Sequence, residues 1–264
     1  SVDTKRFEVT EFPATKDTDK NAPVIMYEDP MHNAPAYLYI AGGDPYNQNK
    51  SEVSPSLGTL HIYKRTYDPV AGTFQNTIVA SYAARPETMK DWQETVEMLL
   101  ELYNATCMIE NEGTNFIQYM ENKNKGHYLA DGYNLAKEIN PKTSIQGRVK
   151  GLPATVKIKN HYKNLIIQYC NEKLTIGQKE NGELVEALGL VRIKDEMLIT
   201  ELINFKPKGN FDRIVSFGHC LIYDEYLQKI APNVKIKSTD VTPQKKNSVR
   251  SPFIMKSGSN AFGI

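Results

Sequence analysis

The chain is short of cysteine, lacks any long hydrophobic run, and carries no excess of charge of either sign. Three cysteines occur in 264 residues. Cys107, Cys170 and Cys220 lie far apart with no C-x-x-C pair. Each sits in an apolar stretch, so buried free thiols in a reducing compartment are expected rather than disulfides or zinc ligands. No apolar run reaches the length of a membrane span, and no signal peptide opens the chain. A GxxxxGK[ST] phosphate-binding loop is missing, which takes ATP-driven motion away from this chain. His32, His61, His127, His161 and His219 show no ligand spacing and read as structural or surface residues. Neither an internal repeat nor a linker interrupts Tyr37 to Ile230, and the opening Ser1 points to a processed or excised piece.

A formal net charge of +1 does not announce a nucleic-acid binder, but the distribution of charge is uneven. Between Glu138 and Glu172 there is no acid, whereas Lys142, Arg148, Lys150, Lys157, Lys159 and Lys163 all fall there. Such a stretch is either a solvated face or a phosphate-contacting surface. A second basic set, Lys235, Lys237, Lys245, Lys246, Arg250 and Lys256, lies in a Ser/Pro/Asn-rich tail that reads as weakly structured and partner-bound.

Residues 1–35 are polar apart from the strand-like "PVIMYEDP". Tyr37 to Ile40 is apolar, aromatic and β-branched, a short buried strand that ends through Gly42, Gly43 and Asp44. The glycines allow close backbone approach, and Asp44 before Pro45 taken alone is a common turn start. "GTLHIYKRTYD" and "TFQNTIVASYAARP" alternate in strand fashion around "PVAG" and predict a hairpin, hence three antiparallel strands over Tyr37 to Ala83. Met89, Trp92, Val96, Leu99, Leu100 and Tyr103 recur at helical spacing after Pro86. "ATCMIENEG" is a further buried strand ending in Glu110, and its crossover through a helix lets it run parallel to the first strand. "TNFIQYMENKN" predicts a short helix. Gly147, Gly151 and Pro153 in the basic region predict a mobile hairpin, with helix from "KNHYKNLIIQYCNEKL" through "IKDEMLITELINF" to "FDRIVSFGHCLIYDEYLQKI".

This order sets acids at the end of the first strand (Asp44), at the end of the fourth (Glu110) and at the start of a late helix (Asp212). Adjacent parallel strands lie about 5 Å apart, so carboxylates at matching ends converge. Clustered like charges call for cations, and oxygen ligands suit Mg²⁺ or Mn²⁺. Two such ions about 4 Å apart activate water and stabilise the leaving oxygen of a phosphodiester. Simpler readings stand beside this one. Glu110 fits an exposed strand-end acid, Glu112 a solvated neighbour, and Asp212 a helix N-cap.

The arrangement resembles the ribonuclease H-like superfamily. "YIAGGDPY", "YNATCMIENEGTN" and "ITELINFKPKGNFDRIVSFGHCLI" look like the nuclease domain of the large terminase subunit of tailed bacteriophages, over about Tyr37 to Ile230. The resemblance implies an α/β fold with a ribonuclease H-like mixed sheet, three antiparallel strands and then parallel strands, with helices on both faces. It implies a metal-dependent endonuclease that cuts concatemeric double-stranded DNA with low sequence specificity, using Mg²⁺ or Mn²⁺, with two ions expected. Asp44 matches the family's first aspartate, Glu110 the strand glutamate and Asp212 the final aspartate, with Glu52 a weaker candidate ligand. The family often pairs aspartates at the third motif. Here Asn210 and Arg213 surround a single one.

"GLPATVKIKN" resembles a basic hairpin near the DNA path, which makes Arg148, Lys150, Lys157, Lys159 and Lys163 candidate DNA contacts. The implied organisation is an extension over 1–35 following an absent ATPase domain, a nuclease domain over 36–231 and a basic tail over 232–264. The implied partners are DNA, the ATPase motor domain and the phage portal, with no membrane, in the cytoplasm of an infected host. A Holliday-junction resolvase-like nuclease and a non-catalytic DNA- or capsid-binding domain are the alternatives. Transposases place their glutamate on the last helix and an aspartate on the fourth strand, the reverse of Glu110 and Asp212.

Overall fold

β-Branched and aromatic residues with a buried inward face build the sheet that carries the acids. The computed structural model describes residues 22–46, 56–65, 75–111, 115–142, 150–206, 209 and 211–230. Five strands, β1 (Ile25–Met26), β2 (Tyr39–Asp44), β3 (Gly58–Lys64), β4 (Thr77–Ala84) and β5 (Thr106–Ile109), pair in the order β1-β4-β3-β2-β5. The β2–β3, β3–β4 and β1–β4 pairs are antiparallel, and β5 runs parallel to β2. The three antiparallel strands and the crossover to a parallel fourth are therefore present as the sequence predicts. Beyond β5, among the described residues, the sheet continues as parallel bridges, Cys107 with Leu129 and Glu110 with Leu152. Residues Ala22 to Pro35, read as part of an extension, join the sheet through β1 and through Lys64, which donates to Glu28.

Helices cover both faces, because alternate strand residues are apolar on both sides. Leu60, Ile62, Val79, Cys107 and Ile109 pack with Trp92, Val96, Leu100 and Tyr103 of helix α1 (Met89–Tyr103) and with Phe116 and Met120 of α2 (Asn115–Asn122). Ile40, Tyr63, Ile78 and Met108 face the other layer, with Ala136 of α3 (Tyr133–Ile139), Tyr162 of α4 (Val156–Asn171), Leu198 of α5 (Glu196–Ile203) and Phe217 of α6 (Asp212–Ile230). Helix α6 lies directly on β2. A Cβ at Gly42 would stand 2.0 Å from the Ser216 carbonyl oxygen, so no larger residue fits where helix and strand meet. The helix after Pro86 begins at Met89, with Thr88 as its cap.

Two expectations fail. The predicted hairpin in the basic region does not include "VKIKN", which forms the first turns of α4, capped by the Thr155 side chain on the Ile158 amide. An apolar stripe of Ile158, Tyr162, Ile166 and Tyr169 settles the helical period there. A hairpin instead follows α4, with β6 (Lys173–Gln178) paired to β7 (Leu184–Leu188), where continuous helix was expected. Its signal was the Asn181-Gly182 pair, with Gly182 at φ 86° in the turn. The three cysteines are free thiols; Cys107 and Cys220 are buried as expected, whereas Cys170 is only half-buried. Among the described residues, no helix is long and apolar enough to cross a membrane.

Candidate active site

Strand parity decides which way the acids face. Gly42 and Met108 are register partners in β2 and β5 and lie toward α6, so Asp44 and Glu110, two residues on, lie toward it as well. The ladder continues past β5, where the Glu110 amide donates to the Gly43 carbonyl (2.9 Å) and brings Glu110 alongside Asp44. Gly151, at φ 75°, lets the chain turn back so that the Leu152 amide donates to the Ile109 carbonyl (2.8 Å). Thr155 then starts α4 beside the same sheet end. Asp212 opens α6, the helix resting on β2.

The three acids feel one another. Burial is the main cause that drives the Asp44 carboxyl well above the usual carboxylate range, and the negative charges of Glu110 and Asp212 add to it. Lys159 opposes them, and Glu201 pushes the same way as the acids. Asp212 is buried, and its carboxylate accepts from the Leu57 amide (2.7 Å) and the Ser56 hydroxyl (3.3 Å) at the entrance to β3. Arg85 steadies that entrance by donating to the Ser56 carbonyl (2.8 Å). Among the described residues, no three His, Cys, Asp or Glu side chains stand as a ready-made metal cage.

The donor set at this end is three carboxylates from three elements, which suits a hard dication. Asp44 and Glu110 are adjacent by register, and Asp212 joins from α6. A carboxylate raised by burial and by its like-charged neighbours, with one lysine to offset them, is a group a dication would relieve. Glu52 and Arg148 fall outside the described residues, as do Glu112 and Asn210.

The candidate DNA contacts divide. Lys150 is paired with Asp131 (2.8 Å) and donates to the Leu129 carbonyl (2.9 Å), so it is spent on the fold. Lys157 is exposed in the first turn of α4. Lys159 is half-buried on the Asp44 side, and Lys163 lies over the Phe205 ring (5.1 Å).

Beneath the acids lies a polar core that the sequence reading did not find. His61 Nδ1 lies 2.9 Å from Ser216 Oγ, and Nε2 lies 3.1 Å from Asp195 Oδ2. Ser216 donates to the Gly42 carbonyl (2.8 Å), which leaves its oxygen able to accept from Nδ1, while Nε2 faces the Asp195 carboxylate. Burial works against the Asp195 carboxylate. The hydrogen bond and charge of His61, the Arg213 charge and the Leu198 amide outweigh it and bring its pKa down to about 2. A Ser-His-Asp set buried this completely is a structural clamp, with no path for substrate to the hydroxyl. His219 is buried too and donates to the Gly43 carbonyl (3.2 Å). Burial, helped by the Lys159 charge, lowers its pKa to about 4, so the ring is neutral. The four partners of the clamp come from distant parts of the chain, which leaves no local pattern to read.

Neither a scan of the chain against protein-family models nor a search of curated proteins finds a match.

Proposed function

We propose that this chain is a divalent-metal-dependent DNA endonuclease with a ribonuclease H-like fold, the nuclease part of a phage DNA-packaging enzyme. The strand order and directions support the fold reading, since three antiparallel strands are followed by a crossover to a parallel fourth. The observation that carries the function is the register of Asp44 beside Glu110 at the ends of parallel strands, with α6 presenting Asp212 to the same end.

Asp44, Glu110 and Asp212 would hold Mg²⁺ or Mn²⁺, with two ions expected from the resemblance. Bound there, the ions supply Lewis acidity and activated water at a phosphodiester. The chain itself provides three fixed carboxylates, and the β3 entrance orients Asp212. Lys159 lies on the Asp44 side of α4, and with Lys157 and Lys163 of the same helix it would hold backbone phosphates of double-stranded DNA. Phosphate contacts carry no sequence information, so cleavage has low sequence preference. In a packaging enzyme the ATPase motor domain and the portal are the remaining partners, in the host cytoplasm.

The test is plasmid cleavage by the purified chain. Nicking and linearisation with Mn²⁺ or Mg²⁺, abolished by EDTA, is the expected result, and cleavage that persists in excess chelator excludes it. The alternative is a non-catalytic DNA-binding domain. DNA binding without cleavage in the same assay selects that reading.

A further inference from the structure

Each of three helices is capped by a side chain from its own start. Thr88 accepts from the Asp91 amide on α1, Thr155 from the Ile158 amide on α4, and Asp195 from the Met197 and Leu198 amides on α5. Helix α6 is different. The Val215 amide donates to the Phe211 carbonyl (3.1 Å), which makes Phe211 the residue at the cap position, and a phenyl ring has no acceptor to offer. Asp212, next along, is the first helical residue.

The acceptor comes from α5. Glu201 Oε2 accepts from the Ile214 amide (3.2 Å), the third amide of α6 and the one an N-cap side chain takes. Arg213 Nη1 lies 3.6 Å from Glu201 Oε1 and holds the carboxylate from its other side. The Asp212 carboxylate is thereby released from capping duty and reaches across to Ser56 and Leu57.

We infer that Glu201 is a surrogate N-cap for α6 and a positioning residue for Asp212. It fixes the first turn of the helix so that Asp212 can serve the acid site instead of its own helix end. The second half of this inference rests on the metal-site reading given above; the first half does not. It also gives a physical reason for the Glu-Leu, loop, Asp order of the sequence, since the glutamate caps the helix that the aspartate opens.

Glu201→Ala and Glu201→Gln test it together, because the glutamine amide oxygen can still accept from Ile214 while carrying no charge. Amide hydrogen exchange in metal-free protein reads the cap, and Mn²⁺ titration reads the site. The inference expects Glu201→Ala to lose protection at Ile214 at least about tenfold relative to β2 and β3, and to bind Mn²⁺ about tenfold more weakly, the usual scale for an orienting contact. Glu201→Gln is expected to keep both near wild type.

Unchanged Ile214 protection in Glu201→Ala overturns the cap. Should Glu201→Ala not fold, Glu201→Gln still decides. A weakening of Mn²⁺ binding with Ile214 protection intact assigns Glu201 a direct role at the ions and overturns positioning. A wild-type chain that binds no Mn²⁺ overturns the positioning half along with the metal-site reading, while Ile214 protection still judges the cap.

Discussion

Asp195 is buried and Asp44 half-buried beside α6, and their surroundings drive them in opposite directions. Asp195 has His61 at 3.1 Å, Arg213 at 3.9 Å and two helix amides, and its pKa falls to about 2. Asp44 has Glu110, Asp212 and Glu201 for neighbours and is pushed well up. The first arrangement satisfies a buried charge and stabilises the fold. The second opposes the charge through burial and like-charged neighbours, with Lys159 as a partial offset, an arrangement that supports the proposed cation site. Both are aspartates against one helix, yet the neighbours of Asp195 favour its charge and those of Asp44 mostly oppose it.

The largest expected effect comes from Asp44→Asn. Cleavage should fall by orders of magnitude in the plasmid assay, while the melting temperature of the metal-free protein rises because a repelled carboxylate has been removed. A drop in metal-free stability would erase the contrast with Asp195. Asp195→Asn should do the reverse. Asparagine keeps the cap on α5, but His61 and Arg213 lose their counter-charge, at a cost of about 3 kcal/mol in urea unfolding.

The pH dependence sharpens the same contrast. Burial, with Asp212 and Asp195 adding to it, raises the Glu201 carboxyl from its ordinary 4.5 to about 7, and Asp44 is raised too. A group raised on folding favours its protonated form in the fold. Its contribution is full below the unfolded value and is lost as pH rises through the folded one. Stability in EDTA should therefore decline between about pH 4.5 and about pH 7, and Glu201→Gln should flatten that decline. Asp195 is lowered, so its contribution fails only as pH falls through about 2. A melting temperature that climbs steadily to pH 7 would show that the acid end is already compensated.

The smallest effects belong to the flank of α4. Lys157→Gln and Lys163→Gln should each reduce the log–log salt slope of DNA binding by about 0.9 with little change in stability. Lys150→Gln should do the opposite, because its ammonium is committed to Asp131 and Leu129. Equal slopes for all three variants would make the basic stretch a solvated face.

What could be read from the sequence follows from range. The β2, β3 and β4 strands, α1 and β5 show in alternation and helical period, because each is a local pattern of burial. Asp44 and Glu110 were legible for the same reason, since strand ends and parity place them. The start of α4 was missed because Gly151 and Pro153 break the chain just ahead of a helix whose stripe only then begins. The β6–β7 hairpin has half-exposed strands with no strong alternation, and only its Asn-Gly turn marks it. The His61 clamp and the Glu201 cap join residues 13 to 174 positions apart, and no local pattern reveals such pairs. Asp212 read as a ligand by resemblance, with an N-cap as the simpler reading beside it; in the structure the Ile214 amide takes its acceptor from Glu201.

We propose that Asp44, Glu110 and Asp212 form one site for divalent cations. Anomalous scattering from a crystal of this chain soaked in Mn²⁺ tests it most directly. The account predicts density within about 2.2 Å of carboxylate oxygens of both Asp44 and Glu110, with Asp212 completing the shell. Ordered Mn²⁺ elsewhere, with none between these carboxylates, would contradict it.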